Sequence, residues 1–226
     1  MKRISPHPKK LLVEGKDDVH AIVGLMRHYV DWGATDEDRP VEIVQEGSVD
    51  EILQPGLMAL YAKVQDVEAI GVVIDANDDF ASRWRRLRER LSEMDPSVPG
   101  EMPSEGLVHV MHNGPNVGAW IMPNNRSKGM LETFLTFLVP AESRQLWDHA
   151  RDSAARAQEH GAPFKAVHQT KAEMHTWLAW QDPPGDPFGL ALTRKCLRPD
   201  AACAQQFARW FIELFKLEGQ LIPQAP

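Results

Sequence analysis

The fold is decided by the stretch Ala-Ile-Gly-Val-Val-Ile-Asp-Ala-Asn-Asp-Asp, residues 69–79, in which an apolar run ends in three carboxylates and an amide. The unbroken run from Ile70 to Ile74 is typical of a parallel strand that helices cover on both faces. In open α/β sheets, ligands bind beyond the carboxyl ends of such strands. Carboxylates this close repel one another unless a divalent cation or basic groups neutralise them. The stretch therefore predicts a magnesium-type site at the end of a buried strand.

Two strand–helix units precede this strand. Residues 11–13, Leu-Leu-Val, form a short strand candidate that runs into Glu14 and Gly15, and apolar residues then recur at helical spacing. Residues 41–45 alternate like a second strand, and Ser48 is a candidate N-cap for the helix that follows. The resulting β-α-β-α-β-α order predicts an α/β fold with a mostly parallel sheet and helices on both faces.

A helical segment rich in arginine follows the acidic loop directly. One interpretation is a basic patch that binds the phosphates of a nucleic acid. The other is a solvated helix face whose arginines form ion pairs with Glu89 and Glu93, and the sequence favours neither. The arginines of this segment are Arg83, Arg85, Arg86, Arg88 and Arg90.

Two more strands and an apolar helix are predicted after a proline-containing surface loop. The strands are expected at residues 107–111 and 117–122, and the helix at residues 130–139. This helix carries one acid, Glu132, among large apolar residues. Glu132 therefore either points out of the helix near its N-terminus or is held inside by a partner.

The remainder of the chain has helical patterns. No flexible linker separates it from the preceding part, so we expect an α/β core of residues 1–139 and a helical extension of residues 140–226 packed on that core. Its helices are predicted at residues 141–160, 165–180 and 203–217.

Composition limits the classes of function. The chain has 226 residues and a formal net charge of -7, which argues against a dedicated nucleic-acid coating protein but not against an enzyme with one basic patch. The two cysteines, Cys196 and Cys203, have no partners that would complete a zinc site. The N-terminal residues lack the features of a secretory signal, and no apolar segment is long enough to span a bilayer. We therefore expect a reduced, cytoplasmic protein without a membrane partner.

The order of the acidic motifs carries a resemblance to a known family. Glu14 after the first strand, with Asp75, Asn77 and Asp79 after the third, resembles the Toprim domain of topoisomerases, bacterial-type primases and small metal-dependent nucleases. The resemblance covers residues 11–139. A chain of this length leaves no room for the further domains of a topoisomerase or a primase. The resemblance therefore implies a stand-alone Toprim nuclease.

Nucleases of the overcoming-lysogenization-defect type are similar at further positions. Glu132 and Lys128 look like their second acidic and lysine positions, and Asp18 looks like an accessory acid on the first helix. The resemblance implies that Glu14, Asp75 and Lys128 are catalytic and that the enzyme depends on Mg²⁺ or Mn²⁺. The metal ligands that it implies are Glu14, Asp18, Asp75, Asn77, Asp79 and Glu132.

The resemblance also suggests partners. The substrate would be DNA or RNA, whose phosphodiester bonds are hydrolysed while Arg83, Arg86 and Arg90 hold the strand. Similar small Toprim proteins work in phage defence with a separately encoded ATPase, and by analogy the same partner is expected here.

Alternatives remain open for the acidic motif. Asn77 offers a carbonyl oxygen but no charge to a metal ion, so a weaker site is expected. Asp79 has the alternative role of helix N-cap, and Glu14 that of an ordinary loop acid. Asn77 and the acidic net charge favour a second hypothesis, a non-catalytic Toprim binding subunit of a nucleic-acid or ATPase complex. A third hypothesis is a phosphatase-like enzyme that acts on small phosphoesters.

Overall fold

The structure, a computed structural model, describes residues 4–35 and 37–218. It contains five strands and a set of helices around them. Single 3₁₀ turns precede two of the later helices, at Ala141–Ser143 and Ala166–His168. In chain order the elements are β1 (Lys9–Val13), α1 (Lys16–Met26), β2 (Glu42–Gln45), α2 (Val49–Ile52), α3 (Leu57–Ala62), β3 (Ala69–Asp75), α4 (Phe80–Ser92), β4 (Leu107–His109), β5 (Asn116–Met122), α5 (Leu131–Thr136), α6 (Arg144–Glu159), α7 (Gln169–Leu178), α8 (Phe188–Thr193) and α9 (Ala202–Phe215).

The strands form one sheet in the order β2-β1-β3-β5-β4. The pairs β1–β2, β1–β3 and β3–β5 are parallel, whereas β4 runs antiparallel to β5 at one edge. The predicted mostly parallel α/β fold is therefore confirmed. Because β1 and β3 are parallel neighbours, Glu14 and Asp75 lie at the same edge of the sheet.

Side chains alternate between two hydrophobic layers along each central strand. In β3, Val73 packs into a layer that contains α1 and α5 to α9, whereas Val72 and Ile74 pack into a layer that contains α2, α3 and α4. This alternation follows from the two-residue period of a strand. The prediction of helices on both faces of the sheet is confirmed.

Helix α9 of the C-terminal segment packs directly on the sheet. A Cβ atom at Gly118 would lie 2.4 Å from Cδ2 of Leu214, and one at Gly71 would lie 3.0 Å from the same atom. Two adjacent strands therefore present glycine where the helix comes closest. The C-terminal helices complete one of the two hydrophobic layers of the sheet.

Helix α8 is an element that the sequence patterns did not predict. It crosses α1 at two glycines, since a Cβ atom at Gly24 would lie 2.4 Å from the carbonyl oxygen of Gly189. With six residues, α8 is too short to show a helical period in the sequence. Other elements match within a few residues. Ser48 is the N-cap of α2, as predicted, and its hydroxyl accepts a hydrogen bond from the amide of Glu51.

Candidate functional site

An acidic cleft of about 250 Å³ lies at the carboxyl edge of the sheet. It collects residues from the ends of β1 and β3 and from the first turns of α1 and α5. Four of the six predicted metal ligands are among its walls. The cleft is lined by Glu14, Gly15, Lys16, Asp17, Asp18, Gly47, Asp75, Leu131, Glu132 and Lys171.

Glu14 is the first residue after β1, and backbone amides from two other elements hold its carboxylate. The amide of Asp75 donates a 2.9 Å hydrogen bond to Oε1 of Glu14, and the amide of Val49 at the start of α2 also donates to this carboxylate. Burial raises the pKa of Glu14, although these amides and the charge of Arg83 oppose the shift. Glu14 thereby connects the ends of β1 and β3 with the start of α2.

Asp75 ends β3 and faces the start of α5. Its Oδ1 accepts a 2.9 Å hydrogen bond from the amide of Leu131. Burial raises the pKa of Asp75 well above its ordinary value, and the charges of Glu14, Asp18 and Glu132 raise it further. This mutual repulsion shows that the four carboxylates share one electrostatic environment.

Asp18 lies in the first turn of α1, where its Oδ2 accepts a 2.8 Å hydrogen bond from the amide of Gly15. Burial, followed by the charges of Glu14 and Glu132, raises the pKa of Asp18 to about 7. The carboxyl of Asp18 therefore keeps its proton to a higher pH than an ordinary aspartate does. Loss of that proton becomes more favourable when a positive charge enters the cleft.

Glu132 is buried in the first turn of α5, with 4% of its surface exposed, and α7 supplies its partner. Nζ of Lys171 lies 3.0 Å from Oε1 of Glu132 and 3.1 Å from Oδ2 of Asp17. Burial opposes the charge of Lys171, but Glu132 and Asp17 more than offset it and raise the pKa of the lysine. Of the two readings of Glu132, the structure supports the one in which a partner holds it inside.

The sequence patterns did not indicate Lys171. It lies in the middle of a helix, 39 positions after Glu132, and no motif or spacing relates the two residues. A buried acid in an apolar helix was the only signal of a distant cation, and it could not specify which lysine or arginine would provide it.

Three predicted site residues lie outside the lining of this cleft. Asn77 adopts a left-handed conformation, with φ of 53°. Its backbone amide and backbone carbonyl form 2.8 Å hydrogen bonds with the backbone of Gly129. Oδ1 of Asp79 accepts a 2.9 Å hydrogen bond from the amide of Ser82, so Asp79 is the N-cap of α4. Lys128 is exposed. From the Asp-x-Asn-x-Asp motif, only Asp75 contributes a side chain to the cleft.

The arginines of α4 differ in their surroundings. Arg83 lies close enough to Glu14 to stabilise its charge, and its buried Nε has no hydrogen-bond partner among the residues that the structure describes. Arg86 pairs with Asp50 at 2.7 Å. Arg90 forms ion pairs with Glu89 and Glu93, as the solvated-face interpretation expected. The basic charge nearest the cleft from this helix therefore belongs to Arg83.

The acidic side chains suit a hard divalent cation in chemical type, because Mg²⁺ and Mn²⁺ prefer carboxylate oxygens. The present orientation of these side chains, however, does not suit a metal ion. Within residues 4–35 and 37–218, no three His, Cys, Asp or Glu side chains are placed to hold a metal ion. Glu14, Asp18 and Asp75 each direct an oxygen to a backbone amide, and Glu132 directs one to Lys171. Metal binding would therefore require some of these side chains to turn.

No helix in the described part of the chain is long and apolar enough to cross a membrane.

Comparisons with known proteins place the chain in a family. Curated proteins and solved structures give no match. A family described as "Protein of unknown function (DUF3226)" matches residues 8–216, and the chain belongs to this family.

Proposed function

We propose that this protein is a Mg²⁺- or Mn²⁺-dependent nuclease that hydrolyses phosphodiester bonds of DNA or RNA in the acidic cleft. The observation that carries the proposal is the convergence of Glu14, Asp18, Asp75 and Glu132 on one cleft at the carboxyl edge of a parallel sheet. These residues come from four separate elements. Burial, followed by the charges of the neighbouring carboxylates, raises the pKa values of Asp18 and Asp75, as expected where acids are gathered in one cleft.

The roles follow from what each side chain contacts. Glu14, Asp18 and Asp75, with Glu132 after it leaves Lys171, would hold the cation. When bound, the cation would stabilise negative charge on the phosphate and acidify the attacking water. The amides of Asp75 and Leu131 hold Glu14 and Asp75 in the absence of a cation, so cation binding would require these carboxylates to turn towards it.

Positive side chains beside the cleft support binding of a phosphate backbone. Arg83 of α4 lies near Glu14, and Arg86 lies one turn further along the same helix. The exposed Lys128 precedes α5 and remains a candidate contact for the substrate or for charge in the transition state. We expect Arg90 to contribute less because Glu89 and Glu93 already neutralise it. Cooperation with a separately encoded ATPase in phage defence is part of the proposal by analogy with similar small Toprim proteins.

A cleavage assay tests this proposal. Purified protein is incubated with single-stranded, duplex and structured nucleic acids in Mg²⁺ or Mn²⁺, with and without a chelator. We expect metal-dependent cleavage that falls at least about 100-fold in Asp75→Asn and Glu14→Gln, which keep the oxygens that accept the amide hydrogen bonds. Asp78→Asn, on the exposed neighbour of the motif, is the control. Cleavage that persists unchanged in both site variants would overturn the nuclease proposal.

A non-catalytic binding subunit is the second candidate function. It is favoured by the Asp-x-Asn-x-Asp motif, of which Asn77 and Asp79 make structural hydrogen bonds outside the cleft. In that case, nucleic acid or a partner protein would bind without cleavage under any metal condition. A binding measurement by fluorescence anisotropy on the same substrates separates the two functions, because only the nuclease converts bound substrate into shorter products.

A further inference from the structure

We propose that Lys171 is a built-in counterion that a divalent cation must displace from Glu132 before the acidic cleft can bind metal. This inference rests on the proposed function for the existence of a metal, but it concerns a residue that neither the motif nor the resemblance identified. It assigns Lys171 as a positioning residue that determines how tightly the cleft binds a cation.

The geometry of the ion pair carries the first step. Nζ of Lys171 lies 3.0 Å from Oε1 of the buried Glu132 and 3.1 Å from Oδ2 of Asp17. A buried carboxylate that loses a charged partner is strongly destabilised, so Glu132 stays with Lys171 until another cation replaces it. Lys171 is only half-buried, and its long flexible side chain can move towards solvent.

Competition is the second step. An ammonium group and a divalent ion that share Glu132 would be only a few ångströms apart and would repel each other strongly. Their binding to Glu132 is therefore close to mutually exclusive. The ammonium group of Lys171 therefore occupies the position at Glu132 that a cation in the cleft would need.

The origin of Lys171 is the third step. The carboxylates lie just after β1, in α1, at the end of β3 and in α5, whereas Lys171 lies in α7, a helix of the C-terminal segment that packs on α5. A shift of α7 relative to α5 would change the distance between Lys171 and Glu132. The C-terminal helices thereby influence the charge balance of a cleft that the sheet builds.

The test compares metal binding in variants of the full chain. Mn²⁺ affinity is measured at pH 7.5 by isothermal titration calorimetry and by the loss of the free-ion signal in electron paramagnetic resonance. We expect Lys171→Met, which removes the charge and keeps a similar length, to bind Mn²⁺ at least about 10-fold more tightly. Lys171→Arg keeps the charge and should stay within about 3-fold of the natural protein. Lys165→Met, at an exposed lysine outside the cleft, is the matched control.

The rise in Tm on addition of Mn²⁺ provides a readout that loss of a purely structural lysine would not increase. Without metal, Lys171→Met should unfold at a lower temperature because Glu132 has lost its partner. Saturating Mn²⁺ should then raise its Tm by more than it raises that of the natural protein. In a Glu132→Gln background, Lys171→Met should no longer increase Mn²⁺ affinity, because the shared group is gone.

The outcomes distinguish this inference from the proposed nuclease function. Equal or weaker Mn²⁺ binding by Lys171→Met would overturn the inference, and so would absence of Mn²⁺ binding in all variants. Tighter Mn²⁺ binding in a protein that cleaves no nucleic acid would support the counterion role and contradict the nuclease. Metal-dependent cleavage with unchanged Mn²⁺ affinity in Lys171→Met would support the nuclease function and contradict the counterion role.

Discussion

The backbone amide of Asp75 donates a 2.9 Å hydrogen bond to Oε1 of Glu14, although the two residues are 61 positions apart in the chain. This bond joins the carboxyl ends of two neighbouring parallel strands, β1 and β3. It places two acids of the candidate site side by side and orients one of them through the backbone of the other. The acidic cleft is therefore a product of the sheet topology.

The first prediction concerns pH. The pKa of Asp18 rises from its ordinary value of 3.8 to about 7 in the folded protein, which therefore holds a proton that the unfolded chain releases. The stabilisation from this proton is fully present below about pH 3.8 and is lost as pH rises through about 7. In metal-free protein, Asp18→Asn should therefore raise Tm by about 5 °C at pH 8 and by much less at pH 5.

Differential scanning calorimetry in the presence of a chelator measures this effect. Asp78→Asn, at an exposed acid outside the lining of the cleft, serves as the control and should change Tm little at either pH. A Tm gain for Asp18→Asn that is equal at pH 5 and pH 8 would contradict the assigned cause.

The second prediction concerns Asp79, whose Oδ1 caps α4 through the amide of Ser82. Asp79→Ala should cost about 1 kcal/mol of unfolding free energy, because a free amide at the helix start loses its partner. If capping is its whole role, Asp79→Ser should restore most of the stability, and cleavage by Asp79→Ala should stay within a few-fold of the natural protein. Urea unfolding and the cleavage assay measure the two effects. A loss of cleavage as large as that of Asp75→Asn would show instead that Asp79 takes part in the chemistry.

The third prediction concerns the crossing of α1 and α8. A Cβ atom at Gly24 would lie 2.4 Å from the carbonyl oxygen of Gly189 and 2.8 Å from its Cα, so Gly24→Ala forces the two helices apart. We expect a loss of about 3 kcal/mol in the free energy of unfolding, measured by urea titration. Gly100→Ala is the matched control, since a Cβ atom there would meet no atom within 4 Å. Equal stabilities of the two variants would show that α1 and α8 do not pack as described.

The fourth prediction concerns the basic side chains of α4. Arg83→Ala should weaken binding of a single-stranded oligonucleotide. It should also reduce the slope of log affinity against log salt concentration by about 1, as expected for the loss of one phosphate contact. Arg90→Ala should change both quantities less, because Glu89 and Glu93 already pair with Arg90. Anisotropy titrations over a series of salt concentrations measure both effects. A larger effect at Arg90 than at Arg83 would place the nucleic acid on another face of the helix.

Much of the fold was predictable because its signals are local. The apolar run before Asp75 specifies a strand buried on both faces, and Ser48 specifies a helix start through its own hydroxyl. The alternation of strands and helices then leaves few arrangements other than a mostly parallel sheet. Helix α8 was missed because six residues are too few to establish a period, and its packing depends on glycines far apart in the chain.

The candidate site was predictable only in part. Glu14 and Asp75 were identifiable because each lies at the carboxyl end of a strand, and parallel neighbours bring such ends to one edge. Asn77 and Asp79 share a short motif with Asp75, but the backbone of Asn77 pairs with Gly129 and the side chain of Asp79 caps α4. Spacing in a loop does not determine side-chain direction, because one left-handed residue redirects the chain.

The sequence by itself determined the strand ends on which the acids lie, since apolar runs and turn residues act over a few positions. Only the tertiary structure decided which acids meet and which cation faces them. Lys171 reaches Glu132 because α7 packs on α5, and no local pattern encodes a contact between side chains 39 positions apart. Burial makes that contact important for stability, because a charged group removed from water is strongly destabilising unless a group of opposite charge lies beside it.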